Sequence, residues 1–166
     1  MSDRLEQLYQ EVILDHNKNP RNFGQLDSPN AYSHGLNPLC GDDFHLYLKI
    51  DQNDIIQDLS FQGQGCAISK SSASLMTSFV KGKSVNEALE LQKYFHHLLT
   101  EDEIGAAEKK SLGRLSIFSN VKNYPVRVKC ATLIWHALGD ALRDRRELEL
   151  KQKTSVSTEH ASKENL

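Results

Sequence analysis

Residues 37–50 read NPLCGDDFHLYLKI, and the second half of that stretch alternates strictly. Phe44, Leu46, Leu48 and Ile50 face one way, while His45, Tyr47, Lys49 and Asp51 face the other. This is the period-two pattern of a strand with one buried face. Ahead of it, Pro38 and Gly41 make a turn, and the turn carries Cys40 with Asp42 two residues on. Downstream, DQND (51–54) has turn composition, and IIQDLSFQG (55–63) returns with Ile55, Leu59 and Phe61 on one face. Upstream, AYSHGLNP (31–38) reads as a weaker strand. Three such strands make an antiparallel meander that needs cover on one side only.

Helical patterns flank the meander. Residues 3–16 place Leu5, Leu8, Tyr9, Val12 and Ile13 at helical spacing, and NKNPRNFG (17–24) stops that helix, because Pro20 cannot continue it. CAISKSSASLMTSFVKG (66–82) sets Ile68, Ser72, Leu75, Met76 and Phe79 on one stripe and closes at Gly82. SVNE (84–87) and TEDE (100–103) both read as capping boxes opening short helices. A last helix opens at Pro125 and runs its apolar stripe through Val126, Cys130, Leu133, Ile134, Ala137, Leu138 and Ala141. The fold class is therefore α+β: an N-terminal helix, a three-stranded antiparallel sheet, and C-terminal helices over one face. Residues 1–147 form one domain, and the polar segment 148–166 is expected to be a disordered tail.

Composition narrows the function. Twenty basic and 22 acidic residues nearly cancel, which offers no footprint for nucleic acid or an anionic membrane. The start is charged and amphipathic, with no leader-like apolar run, and nowhere is there an apolar stretch of membrane-spanning length. Cys40, Cys66 and Cys130 are odd in number and far apart. That argues against a secreted disulfide framework and for a reducing cytoplasm.

The cysteines sit where the chemistry would need them. Cys40 lies in the turn entering one strand, and Cys66 follows GQG at the end of its hairpin partner, so both belong to the same end of the sheet. The final helix can bring Cys130 across. Each thiol alone could be a small inert core residue. Together they point to a metal or reactive-thiol site, since three thiolates and a fourth ligand complete a tetrahedral zinc centre. Asp42 leads for the fourth position, although turn acids are common in their own right. Asp43 has the opposite parity, His45 faces away from the apolar side, His136 lies on another helix face, and His34 stays in reserve beside solvent. Arg127, three residues before Cys130, can place a guanidinium near this net-negative group. Lys129 reads as exposed, and Tyr124 and Trp135 as packing residues.

With DHNKNPRNFG, NPLCGDDFHLYLKI, FQGQGCAISKSSASLM and YPVRVKCATLIWHAL in view together, the chain resembles the SufU family, within the wider group of IscU-like iron–sulfur scaffolds. The resemblance covers roughly residues 3–145. Scaffold-type members carry a histidine directly before the third cysteine, where this chain has Lys129, and the interval holding LQKYFHHLLTEDEIGAAEKK is longer here. Both departures match SufU proteins. The resemblance implies a zinc ion held by Cys40, Asp42, Cys66 and Cys130. It also implies a sulfurtransferase role, with Cys40 accepting persulfide sulfur from a SufS-type cysteine desulfurase that carries the pyridoxal phosphate. A downstream iron–sulfur scaffold would receive the sulfur, and Arg127 would lie close to the reacting centre. The alternative it leaves open is a scaffold on which an iron–sulfur cluster is itself assembled, since thiolates suit both.

Overall fold

The computed structural model describes the backbone of residues 2–164 and the side chains of residues 3–148. Helix α1 (Ser2–Lys18) leads into strands β1 (Ala31–Asn37), β2 (Asp42–Ile50) and β3 (Ile56–Gln64). Helices α2 (Ala67–Val80), α3 (Val85–Thr100) and α4 (Ala106–Leu112) follow, then a 3-10 stretch (Gly113–Val121) and α5 (Pro125–Glu164). The sheet is an antiparallel meander in the order β1-β2-β3, as the alternation in 43–51 requires. Phe44, Leu46 and Leu48 are wholly buried and Ile50 nearly so, while His45, Tyr47 and Lys49 lie toward the other face.

The return strand corrects one assignment. A register shift between Lys49 and Ile50 pairs Ile50 with Ile56, so Ile56 is the buried isoleucine and Ile55 is only half-buried, bridging to Ser84. The turn ahead of it is tied by Asp51, whose Oδ1 accepts from the backbone N–H of Asn53 and Ile55. These bonds to the charged form hold the Asp51 carboxyl below the usual carboxylate range. The outer edge of β3 is not left bare, because Gly24 N–H donates to Phe61 O and Phe61 N–H to Asn22 O.

Helix α2 is buried nearly all round, and its small residues explain how. Ser69, Ser71, Ser72, Ala73 and Ser74 let neighbouring elements approach closely, and the hydroxyls that would be costly in a core find partners. Ser72 Oγ donates to Ala131 O and accepts from Trp135 Nε1. Ser74 Oγ meets His16 Nδ1 at 2.7 Å and accepts from Arg21 N–H at 2.8 Å, so the loop after α1 is pinned to α2. The stripe read through Ile68 and Phe79 is accordingly too narrow: both are only partly buried. Trp135 stacks on Phe95 at 4.5 Å between α5 and α3. Where α5 crosses β1, Gly35 leaves room for Leu133 and Ala137, so the helix can lie close on the sheet.

Three boundaries differ from the sequence reading. Ser84 caps α3 as expected, its Oγ accepting from Glu87 N–H. Thr100, however, ends α3, with its hydroxyl donating to His96 O, and α4 opens later, at Ala106 behind Gly105. Buried Leu98 and Leu99 carry α3 through the would-be cap. Val126, placed on the apolar stripe of α5, is 62% exposed. Finally, α5 is helical to Glu164, into the segment 148–166 read as a tail. That segment has neither Gly nor Pro to stop a helix. Its side chains from 149 on, and residues 165–166 altogether, lie outside the described residues, and so does the expectation of disorder there. No helix among the described residues is long and apolar enough to cross a membrane.

The α1–α2 junction makes a pH prediction. Burial, followed by the charge of Arg21, depresses the His16 imidazole below its usual range. A histidine kept neutral in the folded state contributes stability above its unfolded pKa of about 6.5, and that contribution is lost as pH falls through the lower folded value. Thermal melts at about pH 7.5 and pH 5.5 should therefore show a steeper acid loss for the wild type than for His16→Gln. Equal pH slopes would refute the assignment.

Candidate functional site

The site grows out of the end of the sheet where β2 begins and β3 finishes. Asn37 O accepts from Cys40 N–H to close the turn, and Gly41 follows with φ +72°. Asp42 then starts β2 on its inward parity and is fully buried. Its Oδ1 accepts from Cys66 N–H at 3.0 Å, which joins the two strand ends. Cys66 is the N-cap of α2, its sulfur accepting from Ser69 N–H at 3.4 Å. From the far side, α5 delivers Cys130, 4% exposed.

Asp42, Cys66 and Cys130 each offer one ligand atom, and these atoms all lie within 4.8 Å of one another. Cys40 stands at the margin of this trio, near enough, like Cys66, to bear on the Cys130 thiol. Burial pushes the Cys130 thiol far up, with the nearby Cys66, Asp42 and Cys40 adding to the effect. The charged form of Cys130 is thus disfavoured where it stands, an effect that a bound cation would reverse.

A second observation fits a metal in that place. Asp42 Oδ2 is buried and has no hydrogen-bond partner among the described residues, which is costly for a carboxylate unless a cation meets it. Gly65 keeps the cradle open: a Cβ there would come within 2.7 Å of Phe44 Cε2 and 2.8 Å of Asp42 Oδ1. Three sulfurs and one carboxylate oxygen are a donor set for zinc or an iron–sulfur centre.

The remaining candidates fall out as follows. Arg127 lies exposed on the first turn of α5, its guanidinium 4.5 Å from the centre of the Tyr124 ring, and Tyr124 is half-exposed, not packed. Both Arg127 and Cys66 bear on the Tyr9 phenol of α1, whose pKa burial pushes up, so the three share one neighbourhood. Lys129 is exposed and Trp135 is core. His34, held in reserve as a ligand, points to the opposite face of the sheet, with Nε2 2.6 Å from Asp43 Oδ1. His45 and Asp43 join it there; period-two parity puts Asp43 and His45 on one face, and the β1–β2 register brings His34 to them. His136 packs beside His96, and burial, followed by the charge of His96, lowers its pKa.

Comparison with known proteins agrees with this geometry. Residues 8–131 match the NifU-like N terminal domain. The chain is 42% identical over 134 residues to the zinc-dependent sulfurtransferase SufU of Bacillus subtilis (strain 168), covering 81% of this chain and 88% of that one. It is 39% identical over 163 residues to the iron-sulfur cluster assembly scaffold protein IscU of Streptococcus pyogenes serotype M1, covering 98% and 94%. The crystal structure of FiSufU from Fervidobacterium Islandicum AW-1 is similar with a TM-score of 0.75 at 38% identity, covering 82% of this chain and 97% of that one. An inward carboxylate between two sulfurs at the sheet end, a third sulfur on the last helix, and these likenesses along most of its length have one reading: the chain belongs to the NifU-like N-terminal domain family, in its group of iron–sulfur cluster assembly scaffold and SufU proteins.

Proposed function

We propose that the protein is a zinc-dependent sulfur acceptor, taking persulfide sulfur on Cys40 from a SufS-type cysteine desulfurase and passing it toward iron–sulfur cluster assembly. The observation that carries this reading is the division of labour among the four candidate ligands. Asp42, Cys66 and Cys130 form the close trio, with the exposed Cys66 fixed as the N-cap of α2, while Cys40 sits partly buried on a turn at its margin. The same turn presents Leu39, 86% exposed, and α5 presents Val126 at 62%. An apolar rim of this kind suits a docking protein, here a SufS-type desulfurase, which would carry the pyridoxal phosphate.

Zinc bound there would keep the sulfurs as thiolates at neutral pH. The chain's own residues do the rest. Freed from the group on docking, the Cys40 thiolate attacks the terminal sulfur of the partner's persulfide; that S–S bond breaks, the partner's thiolate leaves, and Cys40 holds the new persulfide. Asp42, Cys66 and Cys130 stay in place, and Arg127 offsets the negative charge nearby.

The scaffold reading is favoured by the likeness to the Streptococcus protein along almost the whole chain. Lys129, where scaffolds place a histidine, and the long segment ahead of α5 weigh toward sulfur transfer. One experiment separates them. The aerobically purified protein should be colourless with about one zinc per chain, should raise the turnover of a SufS-type desulfurase on cysteine, and should carry the added sulfur on Cys40 by mass spectrometry. A brown protein that hands a cluster to acceptors, with no stimulation and no persulfide, would overturn the proposal.

A further inference from the structure

The outer face of the sheet holds a second set of ligand atoms that the sulfur chemistry leaves unused. His34 of β1 and His45 of β2 are direct cross-strand partners, with rings 4.4 Å apart and only 4° from parallel. Asp43, two residues before His45 and so on the same face, sets Oδ1 2.6 Å from His34 Nε2 and 3.7 Å from His45 Nε2. One ligand atom from each of the three lies within 4.8 Å of the others. Tyr32 completes the arrangement: its hydroxyl is 2.6 Å from His45 Nδ1 and its ring stacks on the imidazole.

We propose that His34, Asp43 and His45 bind a divalent transition-metal ion, at a site separate from the sulfur-lined one and on the other face of the sheet. Two imidazole nitrogens and a carboxylate oxygen favour nickel, cobalt, copper or zinc over calcium or magnesium. Both histidines stand on paired strands, not on loops, so little order must be gained on binding. Tyr32 acts on the second nitrogen of His45, the kind of outer partner that fixes tautomer and ring orientation and leaves Nε2 for the ion. The three side chains are between 34% and 41% exposed, which leaves the remaining coordination positions to water or to a donor from another molecule. Asp42 and Asp43 are consecutive and point to opposite faces, so the two sites would sit back to back across the start of β2.

The test uses nickel chloride and the full chain as purified, with the metal content of the sulfur site measured before and after. Calorimetric titration should show about one nickel per chain, and paramagnetic broadening should centre on the amides of 32–35 and 43–46. The double variant His34→Gln/His45→Gln should bind nickel about tenfold to a hundredfold more weakly, with the metal content of the sulfur site unchanged. Asp43→Asn, nearly isosteric, should weaken binding in the same direction and stands in if the double variant folds poorly. Nickel affinity equal to wild type in the folded variants would overturn the site, as would broadening centred on the cysteines or on His96 and His136.

Discussion

Cys66→Ala and Cys130→Ala are expected to release the metal, whereas Cys40→Ala is expected to keep it and to abolish sulfur acceptance. The contrast comes from position, because all three residues are cysteines. Cys66 and Cys130 belong to the trio whose ligand atoms lie within 4.8 Å of one another, with Asp42 as third member. Removing either leaves one sulfur and the carboxylate to hold a metal, together with Cys40 at the margin. Asp42 Oδ2, which has no hydrogen-bond partner among the described residues, would then lose the cation that offsets its burial. Binding to the folded state alone stabilises by about 4 kcal/mol when free metal stands near 1,000 times its Kd. For a chain of this size that amounts to roughly 8–16 °C in Tm. Zinc analysis after dialysis and a thermal melt read both effects.

Cys40→Ala removes the sulfur that the turn holds at the margin. The inner trio remains, so zinc content should stay near one per chain with weakened affinity, and the melt should move far less than for Cys66→Ala. Persulfide transfer, by contrast, should drop to the level of the desulfurase alone, since neither remaining sulfur is free to leave the group. Should Cys40→Ala still stimulate the desulfurase, or should Cys66→Ala hold its zinc as well as Cys40→Ala does, the assignment of roles among the cysteines is wrong.

Much of this arrangement could be read before any coordinates, and the reason is periodicity. The alternation from Asp43 to Asp51 fixes which face of β2 is buried, and with it the parity that turns Asp42 inward and Asp43 outward. Pro125 and the spacing of Cys130, Ile134, Leu138 and Ala141 place the third sulfur on the buried face of the last helix. What escaped was set by contacts distant in sequence. Thr100 carries the residues of a helix cap, yet buried Leu98 and Leu99 carry α3 past it. Ile55 and Ile56 are indistinguishable as side chains, and only the register shift opposite Ile50 chooses Ile56. Ser72 is legible on the stripe of α2, but the burial of Ser74 on another face depends on His16 and the loop after α1, which the helix pattern does not show. The His34–Asp43–His45 cluster needs the β1–β2 register, in which His34 falls opposite His45. A one-residue slip would have separated the rings.

Gly63→Ala should cost more than any other single methyl added near the site. Gly63 lies directly across from Phe44 in the β2–β3 pairing and has φ +138°, where a side chain is strained. A Cβ on it would overlap the carbonyl oxygen of Asp43 and lie 2.9 Å from Phe44 Cα and 3.0 Å from Asp43 C. All three are backbone atoms, so no flexible side chain can swing away. The strands must part where β2 emerges from the turn, and parting them also pulls Asp42 Oδ1 from Cys66 N–H. A loss of roughly 3–5 kcal/mol is expected, at the diagnostic end of single substitutions, with reduced metal content alongside. Gly41→Ala is the control: φ is +72° there as well, but nothing lies within 4 Å of the added Cβ, so only backbone strain of about 1–2 kcal/mol applies. Urea unfolding followed through Trp135, the sole tryptophan, measures both. If Gly63→Ala proved no worse than Gly41→Ala, the close approach of the two strands would not be what holds Asp42 and Cys66 together.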